Sequence, residues 1–151
     1  MASLVCWIDS NWFTLVQSAG IVGSLCFTAL ALRMDARARR IGDFLTLTGH
    51  HRELWMEIQR EPGLGRILQS DVDLIAHPIS SNEEEFLNLV CVHFQSGWEL
   101  AKRGSMVRLD VLASDAKWLF SLPIPRAVWQ KSRSFRDGDF VKFVEEATSS
   151  G

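Results

Sequence analysis

Residues 12–32 carry no charged side chain, and Arg33, Arg37, Arg39 and Arg40 follow at once. An α-helix rises about 1.5 Å per residue, so a run of this length reaches across the ~30 Å hydrocarbon core of a bilayer. An arginine-rich flank of such a helix stays on the cytoplasmic side. All 16 Lys and Arg residues lie at or beyond position 33, while the segment before it carries one charge, Asp9. The expectation is a transmembrane helix over 12–32, a short outer N-terminus over 1–11 and a cytoplasmic domain over 33–147. Trp7 and Trp12, with Phe13, fit the aromatic belt at the outer headgroup boundary.

Three other readings of the apolar run are weaker. Ala29-Leu30-Ala31 resembles a signal-peptide cleavage site, but the basic cluster lies on the wrong side and the apolar stretch is too long. Core helices of soluble proteins are seldom uncharged for this distance. An interfacial helix needs a polar face, and only Gln17 and a few hydroxyls are on offer.

A formal net charge of −2 gives no argument for a nucleic-acid partner. The one basic cluster, four arginines against Asp35, is drawn to anionic headgroups by about 1 kcal/mol per basic residue, which makes membrane lipid the first expected partner. Cys6, Cys26 and Cys91 fall outside, within and beyond the membrane on this topology. They form no disulfide framework, and Cys91 reads as a reduced, buried thiol.

The domain reads as all-α, a small helical bundle. Ile41, Phe44, Leu45, Thr48, Trp55 and Ile58 recur at helical spacing, weakened at Gly42 and Gly49 and ended by Glu61-Pro62-Gly63. A short helical piece over 64–69 precedes a loop over 71–81. Ser81-Asn82-Glu83-Glu84 has the pattern of a capping box and starts a helix that Gly104 stops. A segment from Met106, restarting at Ser114-Asp115, runs to Pro123-Ile124-Pro125. A short helix over 127–133, a turn at Asp137-Gly138-Asp139 and a last helix bearing Phe140, Val141, Phe143 and Val144 complete the chain. The tail over 148–151 reads as disordered. Trp55, Trp98, Trp118 and Trp129 read as core material rather than as a ligand pocket, because aromatics at helical spacing are mostly core.

No phosphate-binding glycine loop, dinucleotide fingerprint, paired Cys-x-x-Cys or nucleophile elbow is present, so neither catalytic residues nor a cofactor is expected. The best chemical candidate is weak. His50, Glu53 and Glu57 share one helix face, as a metal or an acid–base pair would require, and His93 or His77 would complete such a site from elsewhere. His51, by contrast, reads as a residue packed at the edge of the core. Ser121 to Trp129 reads as an extended proline elbow. Either it orders the domain as a rigid corner or it presents Ile124 and Trp129 to a partner. In the anchor, Gly20, Ser24 and Thr28 recur four apart beside the pair Ala19 and Gly23. Small residues let membrane helices approach, and Gln17 adds an interhelical hydrogen bond worth ~0.6–2 kcal/mol.

His51-Arg52-Glu53-Leu54-Trp55, Pro62 to Arg66, Phe86 to His93 and Trp118 to Trp129 resemble a family of small bacterial membrane-anchored helical proteins, a domain of unknown function. The resemblance runs from the anchor to Phe143. It implies a single-pass protein of the bacterial inner membrane and transfers no functional residues. Three functions fit the residues. The first is an accessory or scaffold subunit that packs its anchor against an integral-membrane complex. The second is a self-associating effector or signalling protein, a homo-oligomer. The third is a small membrane-bound metal-dependent enzyme. The first explains most, being the one that uses the small-residue face and the aromatics together and needs no catalytic motif.

Overall fold

The computed structural model describes residues 2–149, and of the side chains before Ser10 only that of Trp7. Cys6, Ser150 and Gly151 are therefore outside the described side chains or residues, as is much of the expected outer segment. The architecture is all-α, with no strand among the described residues. Its helices are α1 (Ala2–Arg60), α2 (Ser81–Lys102), α3 (Leu109–Ser121), α4 (Pro123–Ser132) and α5 (Gly138–Ser149), with short 3₁₀ turns at Pro62–Leu68 and Arg133–Phe135. The chain divides into two compact units, Met1–Arg39 and Arg40–Gly151, so residues 33–39 belong with the apolar segment rather than with the domain.

In the first unit, the stretch from Ser10 is long and apolar enough to cross a membrane. Its apolar side chains, among them Phe13, Val16, Ile21, Val22, Leu25, Phe27 and Leu30, are exposed on every side. Arg39 Nε bonds Asp35 Oδ2 at 2.9 Å on the exposed surface.

The second unit packs two layers of core. Cys91, Trp98, Ala116, Leu119, Phe120, Trp129, Phe140 and Val144 form one cluster. Leu64, Ile67, Phe86, Leu87, Ile124 and Val128 form the other. Each fully buried apolar side chain contributes about 1.5–3 kcal/mol relative to exposure. Burial pushes the Cys91 thiol up to about 11, against the opposing charge of Arg136, so the sulfur stays protonated.

Several expectations give way here. The N-cap of α2 is Ser80, one residue before the expected start, and its capping box closes with Glu83. Ser114 does not restart a helix. It lies inside α3, where its hydroxyl donates to Asp110 O at 3.0 Å. The proline elbow is the first turn of α4, because a helix's first N–H groups have no intrahelical acceptor and Pro123 and Pro125 lose nothing there. Ile124 and Trp129, offered as a partner surface, are buried, at 0% and 6% exposure. They hold α4 to the core and present nothing outward. Trp98 and Trp129 are core residues as expected, whereas Trp55 and Trp118 are about half exposed. Thr148 and Ser149, expected in a disordered tail, extend α5, their hydroxyls donating to Val144 O at 2.9 Å and Glu146 O at 3.1 Å.

Glu83 is a charged residue buried to 3% exposure, and it has a full set of partners. Arg66 Nε and Nη2 donate to its two oxygens at 2.9 and 3.0 Å. The Ser80 N–H and hydroxyl donate to Glu83 Oε2 at 2.8 and 2.9 Å. Burial raises its pKa, yet these donors together outweigh burial and hold the carboxyl below its ordinary value. Arg66 Nη2 also donates to Pro78 O at 2.9 Å, which ties the irregular stretch 69–80 to the start of α2.

Candidate functional site

Within the second unit, α1 turns a stripe of half-buried residues inward: Phe44, Leu47, Leu54 and Ile58, with His51 in register between them. The three-and-four spacing is that of one helix face. Leu54 and Ile58 pack on the cluster around Ile67 and Phe86. Leu47 and Leu112 lie 3.5–3.8 Å from where a Cβ on Gly97 would sit, so the small residue of α2 seats both leucines.

Between this stripe, α2 and α3 lies a cavity of about 170 Å³. Leu54, Ile67, Phe86, Val90, Phe94 and Leu119 supply an apolar wall. Trp55 and Trp118, 40% and 51% exposed, flank its mouth, where Asp115 also lies. His51 and His93 complete the lining, their ring centroids 5.4 Å apart and their planes tilted by 32°.

Trp55 Nε1 donates to His51 Nε2 at 2.9 Å. With Nε2 as acceptor, a neutral His51 carries its proton on Nδ1; that tautomer is assigned from the hydrogen bond. His93 is driven from 6.5 down to about 4, first by burial, then by the facing His51 and by His50. The ring is neutral across the physiological range. An unfolded chain binds a proton at His93 between about pH 6.5 and 4 that the folded chain does not. Stability therefore falls as the pH drops through that window. For a ring removed from water the shift amounts to about 3 kcal/mol, and solvent screening at this half-buried ring cuts it to roughly 1–2. Urea midpoints near neutrality and near pH ~4.5 are expected to differ less in His93→Phe than in the native chain. An unchanged difference would assign the acid sensitivity to other groups.

The three residues singled out for metal or acid–base chemistry sit elsewhere. His50, Glu53 and Glu57 share an exposed face of α1 beside a shallow groove with Leu89 and Val92 of α2. Glu57 lies 3.9 Å from Arg60. No group of three or more metal-ligating side chains comes together among the described residues. His93 comes from α2 to meet the ring of His51 and also lines the groove beside His50, Glu53 and Glu57, while His77 lies in the loop. His51 falls on the inward stripe, at the edge of the core as expected, while His50 does not; what the sequence did not show is that His93 lies opposite it.

In the first unit, Gln17, Gly20, Ser24 and Thr28 fall within an arc of about 80° on α1, with Gly23 and then Ala19 further round. All six are exposed, and nothing lies within 4 Å of a Cβ placed on Gly20 or Gly23. The hydroxyls turn to their own helix: Ser24 donates to Ile21 O and Thr28 to Ser24 O, both at 2.8 Å. Among the described residues of this face, Gln17 is the polar side chain for which no bond to its own helix is found. Trp7 and Trp12 are exposed, and the Trp12 and Phe13 rings meet edge to face at 6.0 Å. Arg33, Arg37, Arg39 and Arg40 are exposed as well.

Compared with family models, with curated proteins and with solved structures, the chain matches none.

Proposed function

We propose that this chain is a single-pass accessory or scaffold subunit of a bacterial inner-membrane complex, with its N-terminus outside and its helical domain in the cytoplasm. The observation that carries the reading is the candidate span itself, whose most apolar window has no buried residue. Leucine, isoleucine, valine and phenylalanine side chains exposed around the whole circumference of a helix are unfavourable in water and at home in lipid. The orientation follows from Arg33, Arg37, Arg39 and Arg40 at one end and Trp7 and Trp12 at the other. Packing against a partner helix uses Gln17, Ala19, Gly20, Gly23, Ser24 and Thr28, where backbones can approach closely.

The test is the native mass of the full chain extracted in mild detergent, with its co-purifying proteins identified. A heteromeric particle is expected. A homo-oligomer would shift the reading to a self-associating effector, and a bare monomer would remove both. Gly20→Leu combined with Gly23→Leu is expected to weaken assembly at least tenfold while the melting temperature of the domain stays put, since both glycines belong to the first unit and an added side chain meets nothing within 4 Å. Assembly that survives both changes would show that the contact lies on another face.

A further inference from the structure

We propose that the cavity between α1, α2 and α3 binds a neutral molecule built on a single aromatic ring that carries one hydroxyl or N–H group, with His93 as its hydrogen-bond partner. Size comes first. At about 170 Å³ the cavity matches engineered cavities of about 150 Å³ that admit benzene. The wall comes second. Leu54, Val90, Phe94 and Leu119 offer no hydrogen bonds, and a buried water needs two to four polar partners. Trp55 N–H and His51 Nε2 already satisfy each other. His93 lines the same space, and no side-chain or backbone hydrogen bond engages its ring among the described residues. The His93 ring nitrogens are not sealed from solvent, so a ligand hydroxyl or N–H takes the place of water there.

Charge narrows the class. Asp115 at the mouth repels anions, so fatty-acid or phosphate headgroups are poor occupants. The imidazole inside is uncharged and gives an anion no counter-charge, while desolvating a cation in this apolar wall is costly. The two tryptophans at the mouth supply faces and edges for an aromatic ring, the contact such rings prefer. This site is independent of the anchor and stands or falls without it.

The experiment places the full chain in lipid nanodiscs and follows the fluorine NMR line of para-fluorophenol, with protein-free nanodiscs as the partition control. Saturable, protein-dependent broadening is expected. Para-fluorotoluene, which has the ring without the hydroxyl, is expected to bind roughly tenfold more weakly. Val90→Phe fills the cavity and should abolish the broadening. Because that change crowds a packed site, Trp118→Ala, on a half-exposed side chain, serves beside it and should weaken binding about tenfold. His93→Phe keeps the ring and should erase the preference for the phenol over the toluene. No broadening above the nanodisc control would overturn the site. Equal binding of the two probes, or a preference that survives His93→Phe, would overturn the assigned hydrogen-bonding partner. Undiminished binding to folded Trp118→Ala and Val90→Phe would place the probe elsewhere.

Discussion

Arg66→Met is expected to lower the unfolding free energy of the domain by about 3 kcal/mol, at the lower end of the range for breaking a buried ion pair. The loss arises less from the attraction removed than from what is left behind. The Glu83 side chain is 4% exposed, and without the guanidinium its carboxylate keeps only the Ser80 donors. Arg66, 27% exposed, gives water a path toward the orphaned charge, which limits the cost. The double change Arg66→Met with Glu83→Met is expected to recover part of the loss, because apolar groups in place of a buried pair are close to neutral. It will not recover everything, since Glu83 also closes the capping box of α2, worth about 1 kcal/mol. Urea midpoints of the two singles and the double give the coupling directly. A single change costing under about 1 kcal/mol would mean that Glu83 is rehydrated at little cost.

Trp98→Ala is expected to cost about 3–5 kcal/mol. The indole is 5% exposed, with the Phe140 and Phe143 ring centroids 5.8 and 6.5 Å away and Lys102 Nζ 4.1 Å above its own. Truncation leaves a void against α5, and Phe140, fully buried, is held there by its neighbours and cannot collapse into it. Trp98→Phe should lose about half as much, because a smaller ring still fills part of the space. Thermal melts of the full chain read both. A Trp98→Ala protein that keeps its melting temperature but loses a co-purifying partner would make the residue a docking contact instead.

The helical class and most helix boundaries were legible because their signals are local. Gly104, at a φ of +71°, ends the α2 segment as its sequence suggests, and Glu61-Pro62-Gly63 ends α1. The start of α2 was ambiguous by one residue for a definite reason. Ser80 with Glu83 and Ser81 with Glu84 are two overlapping capping boxes, and only Arg66, arriving from the turn at Pro62–Leu68, selects the first. Burial of Ile124 was hidden for a similar reason. Proline pairs read as an extended elbow, and only the second layer of core shows that this one opens a helix. The tryptophans divide between core and cavity mouth according to which helix faces them, and that information is not in their own spacing. The same holds for His51 and His93: one is on α1, the other on α2, and only packing brings their rings together. Candidate sites read from one helix, such as His50 with Glu53 and Glu57, could name a shared face but not whether anything lies opposite.

The carboxylate of Glu83 also governs a stretch of chain it does not belong to. Residues 69–80 have little regular structure, and Ile75 in their middle is 95% exposed. The guanidinium bonded to Pro78 O and the backbone N–H of Ser80 meet on that one group. The distal end of this loop thus has one polar fastening, beside the apolar packing of Val72, Leu74 and Ile79 on the second core cluster. Loss of that one charge removes the polar fastening and leaves the apolar contacts to hold the stretch, so cleavage near the exposed Ile75 is expected to report on the charge of a single buried acid.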